Sequence, residues 1–428
     1  MMRRAALALL LWGCASEGGE SSGAEFRVVS RARYTEGRLE ERLLDRYRNT
    51  HPGLRVVGQY AATDAGYRER LYASLRAATL PDAFLLDYSD VAALVDGGGV
   101  LDLAPYLPRA GVDLAGLDPT VLSIFRRGAA VYAVPRGYSP VVIAYNKDLF
   151  DRAGLPYPTD DWTWDDFLHL AHALTRDTDG DGRIDQWGTS LDRAVASWLP
   201  WVWSGGGDVL CPGGRRATAC LDSPTSIAAL RWYAGLVTTE RVAPSPWTGP
   251  RDWTAGDVGP FASGRVALLT AGHGSVPVLR SYARAGTLRV GFVQLPHRAG
   301  WSPATVVYAS GYAVPRSAGR RRLSVELVAA LTDSVAAAAR GEAGLELPAA
   351  GGPAQALAAA DTMGWEAAFL RAALHGRAPW AARVGQWREV AAALGDLMDR
   401  LVGGADPARA AHGTARLLDR LLGAAPLP

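Results

Sequence analysis

The chain has 428 residues, of which 49% are hydrophobic, and its 45 Lys and Arg against 43 Asp and Glu give a formal net charge of +2. The length favours two domains over a single core, and a near-neutral chain with dispersed arginines argues against a dedicated nucleic-acid partner. The 14 Trp and 15 Tyr are typical of large cores or of surfaces that bind the flat apolar faces of ligands.

The N-terminus has the pattern of an export signal. Arg3 and Arg4 precede a short apolar stretch that ends at Cys14, and this stretch is too short for a membrane-spanning helix, which takes about 20 residues. Residues 1–14 resemble a bacterial lipoprotein signal peptide, with cleavage before Cys14 and lipid on its thiol. An ordinary signal peptide or a buried N-terminus, with an incidental cysteine, is the alternative. Residues 15–25 are rich in Gly, Ser and Glu, which predicts a flexible tether.

Short apolar runs alternate with amphipathic helical segments from residue 26 onward, which is typical of an α/β fold. The first strands are predicted at 26–29, 54–57 and 82–86. The third of these apolar runs ends abruptly at Asp87 and Tyr88. Because ligands bind beyond the carboxyl ends of strands in open α/β sheets, these two residues mark a candidate site. An ordinary turn is the alternative.

A second block of α/β pattern opens with a strand predicted at 141–146. The first long helix of this block is predicted to begin at Thr163, because the Thr163 hydroxyl and the Asp166 carboxylate have the spacing of a capping box. Further strands are predicted near 265–270 and 288–295. Toward the C-terminus the sequence becomes helical and Ala-rich.

Cys211 and Cys220 flank a Pro-Gly-Gly turn and are the only cysteines besides Cys14. In an exported protein this arrangement predicts a hairpin closed by a disulfide, since antiparallel strands bring such positions within bonding distance. The spacing is not Cys-x-x-Cys, and no His lies near in the sequence, so a structural bond is favoured over a redox or metal site.

Residues 177–188, DTDGDGRIDQWG, follow the pattern of a calcium-binding loop. The expected ligands are the side chains of Asp177, Asp179, Asp181 and Asp185 and the carbonyl group of Arg183. Position 12 is Gly188 instead of the usual bidentate Glu, so calcium affinity should be weak. The alternative is a metal-free loop in which the aspartates accept hydrogen bonds from nearby backbone N–H groups. A structural Ca²⁺ is the one cofactor that the sequence suggests, and none is required.

Several segments, taken in order, resemble the extracellular solute-binding proteins of carbohydrate ABC transporters, the maltose-binding-protein-like group called family 1. Residues 131–188 carry the densest match, with YNKDLF, AGL before a Pro, TWDDFL and the Asp/Gly loop. Other matching stretches are PDAFLLD, GVLDLAPYL, SGGGDVL, LDSPTSIAALRWYAGLV, FASGRVALL and SGYAVP. The resemblance therefore covers nearly the whole mature chain.

The resemblance implies a periplasmic-binding-protein-like α/β fold. Two α/β lobes would be joined by crossing hinge strands, with a helical C-terminal region and a cleft that closes on ligand. The expected N-lobe comprises residues 26–138 and 307–344, and the expected C-lobe comprises residues 139–306 and 345–428. Each lobe would thus be discontinuous in sequence.

A sugar in such a cleft needs flat aromatic rings for its C–H face and planar hydrogen-bonding groups for its hydroxyls. Trp, Tyr, Asp and Arg supply both, although about half of the Trp are expected in the core. The candidate ligand-binding residues are Arg31, Arg33, Asp87, Tyr88, Tyr138, Trp198, Trp201, Trp203, His273 and Trp387. His273 stands where many relatives have an aromatic residue, which leaves a non-sugar solute open.

The function implied is a lipid-anchored, monomeric binding protein that faces the periplasm or the cell exterior. It would capture a sugar or oligosaccharide and deliver it to the permease of an ABC transporter, with no nucleic-acid partner and no membrane contact except the anchor. A ligand-sensing subunit and a cleft enzyme on the same fold are the alternatives. The enzyme is disfavoured because the sequence shows no convincing acid–base pair.

Overall fold

The structure is a computed structural model that describes residues 25–32, 34–77, 79–245 and 258–423. The predicted signal peptide at 1–14 with its lipidation site Cys14, the tether up to residue 24, and Arg33 lie outside the described residues.

Strands and helices alternate in the first part of the described chain, and helices dominate its last part. The strands are β1 Phe26–Arg31, β2 Val56–Ala61, β3 Ala83–Asp87, β4 Arg126–Arg127, β5 Ala130–Val131, β6 Val134–Asn146, β7 Trp187–Thr189, β8 Val266–Gly272, β9 Val290–Val293, β10 Thr305–Ala313 and β11 Gly376–Arg377. The α-helices are α1 Tyr34–Thr50, α2 Asp64–Arg76, α3 Val91–Asp96, α4 Pro119–Ile124, α5 Lys147–Ala153, α6 Trp164–Leu174, α7 Val195–Ser204, α8 Pro224–Thr238, α9 Val258–Ala262, α10 Val276–Arg284, α11 Arg321–Thr332, α12 Ser334–Glu342, α13 Gly351–Ala360, α14 Trp365–Ala373, α15 Trp387–Val402 and α16 Pro407–Leu421. Short 3₁₀ helices cover His273–Ser275 and Trp380–Ala382.

Nine of the strands form one connected sheet with the order β2-β1-β3-β10-β6-β8-β7, in which β11 also pairs with β10 and β9 with β6. Strand β1 runs parallel to β2 and β3, as expected for strand-helix-strand units. Strand β10 runs antiparallel to both β3 and β6. The alternation read from the sequence thus corresponds to a mixed α/β sheet.

Two long strands pass from one lobe to the other. The first part of β6, Val134–Pro140, pairs with β10, whereas its last part, from Val141, pairs with β8 and β9. A third crossing lies at Leu347, whose backbone exchanges two hydrogen bonds of 2.9 Å with Tyr138. The predicted fold class, two α/β lobes joined by crossing strands, is confirmed, and the exact lobe boundaries stay a prediction.

Two buried apolar clusters fill the lobes. The first surrounds the N-lobe strands and continues onto one face of the C-lobe sheet, where it includes Val142 and Ala144. The second lies on the opposite face, with Val141 and Ile143, under helices α6, α7, α8, α15 and α16. This division follows from the alternation of side chains along β6.

Side-chain caps explain where helices α5 and α6 begin. Helix α6 begins after Thr163, whose hydroxyl accepts the N–H of Asp166 while the Asp166 carboxylate accepts the N–H of Thr163, so the predicted capping box is present. Helix α5 begins after Asn146, whose side chain accepts two backbone N–H groups, and ends at Gly154 with φ of 65°. Glycine is favoured at such a left-handed position.

A buried ion network joins the crossing strands to α1. Arg136 of β6 donates to Ser310 of β10 at 3.1 Å and to Glu36 and Glu40 of α1 at 2.8 and 3.2 Å. Its Nε also lies 3.1 Å from Glu346, just before the third crossing. One guanidinium therefore contacts all three crossing segments at their N-lobe ends.

Candidate functional site

Two adjoining cavities, of about 400 and 850 Å³, lie between the lobes and share Trp387 and Ala391. Together they are called the interlobe cleft below. The N-lobe wall contains Tyr88 and Ser89, directly after β3, and residues of α2. The C-lobe wall contains the first turn of α7 and the first turns of α15. The cleft thus lies at the carboxyl end of β3, where the sequence predicted a site.

Aromatic rings from both lobes meet in the cleft. The ring of Tyr88 lies 4.6 Å from that of Tyr308 on the crossing strand β10, with 37° between the planes. The Tyr308 hydroxyl donates to the carbonyl of Ala196 in α7 at 2.6 Å. Burial raises the pKa of both phenols, so both are neutral at physiological pH. Trp387 adds an indole at the start of α15.

Paired charges lie beside the aromatic rings at the ends of β1 and β3. Arg31 is 2.6 Å from Asp64 and 3.8 Å from Asp87. Asp87 accepts hydrogen bonds from the N–H and the hydroxyl of Ser89 at 3.0 and 2.6 Å. Burial raises the pKa of the Asp87 carboxyl, and the charge of Arg31 acts in the opposite direction. Arg31 and Asp87 do not line the cavities themselves. Asp87 holds Ser89, which lines the larger cavity, through the two hydrogen bonds given above, and Arg31 lies next to Asp87.

A second charged group lines the larger cavity directly. Arg68 of α2 donates to Asp90 at 3.0 Å and to the Ser89 hydroxyl at 2.7 Å, and the Tyr72 hydroxyl donates to Asp90 at 3.1 Å. Opposite them lie Arg388 and Glu389 of α15. Planar donors and acceptors therefore line both walls of the larger cavity, and small-molecule sites in general carry a few such polar groups that orient a ligand.

The first turn of α7 supplies backbone donors to the cleft. Residues 193–196 line the smaller cavity, and no side chain caps this helix end. The Asp192 carboxylate instead accepts the N–H of Ala194 at 2.9 Å and the hydroxyl of Ser197 at 2.5 Å. Because the first N–H groups of a helix have no intrahelical acceptor, this turn offers hydrogen-bond donors to a bound solute.

The structure brings Tyr88 and Trp387 together in the cleft, with Arg31 and Asp87 beside it. The other candidates among the described residues lie elsewhere. Trp198 and Trp201 are fully buried in the C-lobe core, where Trp201 stacks on Trp232 at 5.2 Å. Helix α7 is apolar around most of its circumference, so most of its side chains pack inside. Trp203 lines a separate opening.

Tyr138 and His273 also lie in the interior. Tyr138 is buried at the third crossing. His273 is fully buried, its Nε2 lies 2.6 Å from Glu366, and its ring meets Phe369 edge-on at 4.8 Å. Neither side chain lines the interlobe cleft. Their positions therefore do not support the ligand contacts that the sequence suggested.

Tyr308 and Arg68 are cleft residues that the sequence analysis missed. Tyr308 lies next to the predicted lobe boundary between residues 306 and 307, and this position was the available signal. Arg68 lies on α2, and nothing in the local sequence distinguishes it from other helical arginines.

The Asp-rich loop is held by its own carboxylates. Asp177 accepts the N–H groups of Gly180 and Gly182 at 2.6 and 2.8 Å, and these bonds lower its pKa. Asp185 accepts both the N–H and the hydroxyl of Thr178. One carboxylate oxygen each of Asp177, Asp179 and Asp185 lies within 4.8 Å of the others. These oxygen donors fit a calcium ion, although Gly188 supplies no ligand; calcium binding stays a prediction.

The structure joins Cys211 and Cys220 by a disulfide with Cα atoms 5.3 Å apart. The expected flanking strands are absent: this part of the described chain consists of turns, with a hydrogen bond of 2.7 Å from the Cys211 N–H to the Arg216 carbonyl. The loop between the cysteines is short and glycine-rich, and it packs on Trp380 and Val384 near Gly214.

Comparison with known proteins identifies the family. The model of the family described as bacterial extracellular solute-binding protein matches residues 32–338, more than half of the chain. The chain belongs to this family. Members of this family are extracellular and bind solutes. The predictions that the protein is exported and that it binds a solute are therefore confirmed. Among the described residues, no helix is both long and apolar enough to cross a membrane.

Solved structures share the whole fold of this solute-binding protein. An ABC substrate-binding protein from Listeria monocytogenes, in complex with cycloalternan, is 23% identical with a TM-score of 0.81 over 94% of this chain and 99% of that chain. A solute-binding protein from Thermotoga lettingae bound with α-D-tagatose is 19% identical, with a TM-score of 0.79 over 94% and 100%. UgpB from Mycobacterium tuberculosis, in complex with glycerophosphocholine, is 21% identical, with a TM-score of 0.77 over 94% and 99%.

Proposed function

We propose that the protein captures a sugar or oligosaccharide in the interlobe cleft and delivers it to the permease of an ABC transporter. The observation that carries this proposal is the meeting of Tyr88, Tyr308 and Trp387 with planar charged groups between two lobes. A pyranose ring presents a C–H face that packs on such rings and a rim of hydroxyls that bonds to such groups. Sugar ligands in several solved structures of the same fold support the assignment.

Closure of the lobes is the proposed mechanism. The cleft walls come from different lobes, so a solute gains contacts with both only when the lobes approach. Binding then shifts the population toward the closed form by the difference in affinity between the two forms. The protein acts as a monomer, held at the membrane by lipid on Cys14, and it carries out no chemistry on its ligand. The Cys14→Ser variant should accordingly leave the membrane fraction when the full chain is expressed with its signal.

A panel of mono- and oligosaccharides, read by thermal shift and tryptophan emission, tests the ligand class. The Trp387→Ala variant should lose at least tenfold in affinity, about 1.4 kcal/mol, for the sugar that the wild type binds. Trp301→Ala is the matched control, because Trp301 is half-exposed and outside the cleft. Equal losses in both variants, or no sugar that raises the unfolding temperature, would reject the assignment.

A phosphodiester solute is the second candidate. Backbone donors at the start of α7 and the guanidinium groups of Arg68 and Arg388 suit a phosphate, and one solved relative holds glycerophosphocholine. Glycerophosphocholine therefore belongs in the panel, and its binding in place of any sugar would favour this candidate.

A further inference from the structure

A second opening between the lobes, separate from the interlobe cleft, has a volume of about 460 Å³. It is called the Trp380 crevice below and is lined by Thr120, Trp203, Asp208, Arg377, Trp380 and Arg383 among others. Its volume falls within the range of small-molecule sites, about 300–1,000 Å³.

The segment 376–383 separates the two openings. Pro379 and Ala381 line the interlobe cleft, whereas Arg377 and Trp380 line the crevice. A ligand in the crevice therefore does not occupy the sugar position proposed above.

The crevice has an aromatic and a hydrogen-bonding side. Trp380 donates its indole N–H to Asp208 at 2.7 Å, which fixes the indole against one wall. Asp208 also accepts the N–H of Val209 at 2.7 Å, and burial raises its pKa. The Arg377 guanidinium lies 5.4 Å from the centre of the Trp203 ring, in a cation–π contact. Thr120 of α4 adds a hydroxyl from the N-lobe.

The charge of the crevice is positive. Arg377 and Arg383 have no carboxylate partner within the described part of the chain, and Asp208 is the only carboxylate in the lining. Two guanidinium groups against one carboxylate leave a net charge of +1. Guanidinium groups that face a shared cavity without carboxylate partners provide a site for a planar or tetrahedral anion.

We propose that the Trp380 crevice binds a small hydroxylated anion, namely a single sugar ring that carries a carboxylate or phosphate group. The anionic group pairs with Arg377 and Arg383, the ring packs on Trp380, and the hydroxyls bond to Asp208 and Thr120. Both lobes line this site, since Thr120 belongs to α4 of the N-lobe and Asp208 follows α7 of the C-lobe. Occupancy is therefore coupled to the relative position of the lobes, and reciprocally to the affinity of the interlobe cleft.

Isothermal titration at low ionic strength, with glucose 6-phosphate and glucuronate as probes, tests the site. Both probes should bind the wild type saturably with one site per chain, and more weakly as salt is added. Glucose and inorganic phosphate are the matched arms, each lacking one half of the proposed ligand, and each should bind more weakly. Arg377→Gln and Arg383→Gln should each weaken both anionic probes about tenfold, the usual worth of one charge-assisted hydrogen bond.

Two control variants locate the binding. Arg109→Gln, an exposed arginine outside the crevice, should leave the affinity for glucose 6-phosphate unchanged. Trp387→Ala, which damages the interlobe cleft, should also leave it unchanged, so failure of the sugar assignment would not affect this result. Binding that is lost in Trp387→Ala but kept in Arg377→Gln would place the anion in the cleft and overturn the proposal. So would the absence of binding by either anionic probe into the millimolar range.

Discussion

Replacement of Glu40 by Gln is expected to destabilise the protein strongly. Glu40 is 1% exposed and accepts two hydrogen bonds from Arg340, at 2.7 and 2.8 Å. It also accepts bonds from Arg136 at 3.2 Å and from the Tyr312 hydroxyl at 2.9 Å. The amide of Gln keeps the shape of the side chain but removes the charge, which leaves two buried guanidinium groups without their shared carboxylate.

The expected loss in the free energy of unfolding is about 3 kcal/mol. Burial alone would raise the pKa of Glu40, but the charges and hydrogen bonds of Arg340 and Arg136 outweigh it and lower the pKa from 4.5 to about 2. That lowering corresponds to about 3 kcal/mol, in line with the 3–5 kcal/mol usual when one partner of a buried ion pair is removed. Because the folded-state pKa is the lower one, this stabilisation is complete above pH 4.5. It is lost as the pH falls toward 2.

Urea unfolding of the wild type and the Glu40→Gln variant measures this difference. Glu41→Gln is the control from the next position of α1: Glu41 pairs with Arg48 at 2.6 Å but is 42% exposed, so its loss should cost less than about 1 kcal/mol. The gap between wild type and Glu40→Gln should be constant between pH 7 and 5 and shrink to less than half at pH 3. Equal effects of the two substitutions, or a gap that widens on acidification, would refute the account of the network.

The remaining predictions concern stability and metal binding. The Cys211→Ser, Cys220→Ser double variant should lose about 2.6 kcal/mol of stability, as expected for a loop closed over nine residues, and calorimetry that shows no change would contradict this. Tyr308→Phe removes the bond to the Ala196 carbonyl and should cost about 1 kcal/mol in urea unfolding, while the contact of its ring with Tyr88 is kept. Calcium should bind the loop 177–188 weakly, and an unfolding temperature that stays constant into the millimolar range of calcium would count against it.

Features encoded in short stretches of sequence were predictable. The capping box at Thr163 needs only residues three positions apart, and the structure contains it. The apolar run that ends at Asp87 marks a buried strand with a polar end, and the cleft lies there. Two cysteines around a Pro-Gly-Gly turn in an exported chain predicted the disulfide, which the structure contains. The strands expected around it did not form, because Pro212, Gly213 and the residues that follow them make turns and bends.

Features that depend on distant partners were not predictable. Glu40 lies in a charged stretch of α1, and from the sequence alone such a stretch would be expected to face solvent. Its partner Arg340 is 300 positions away, so nothing local indicates that this carboxylate is buried.

The placement of the ion network bears on how the lobes can move. Arg136 holds all three crossing segments at their N-lobe ends, and Gly137 is required there because a Cβ atom would lie 2.4 Å from Glu346. A segment fixed in this way does not supply the change in backbone angles that closure needs, since hinges are residues free to absorb that change. In the closure proposed above, the bending would therefore take place beyond the network, toward the C-lobe side of Tyr138. Tyr308 lies on that side, where its hydroxyl donates to the Ala196 carbonyl of α7 and its ring lies against that of Tyr88. The aromatic rings of the cleft are therefore next to the segment that would bend in the proposed closure.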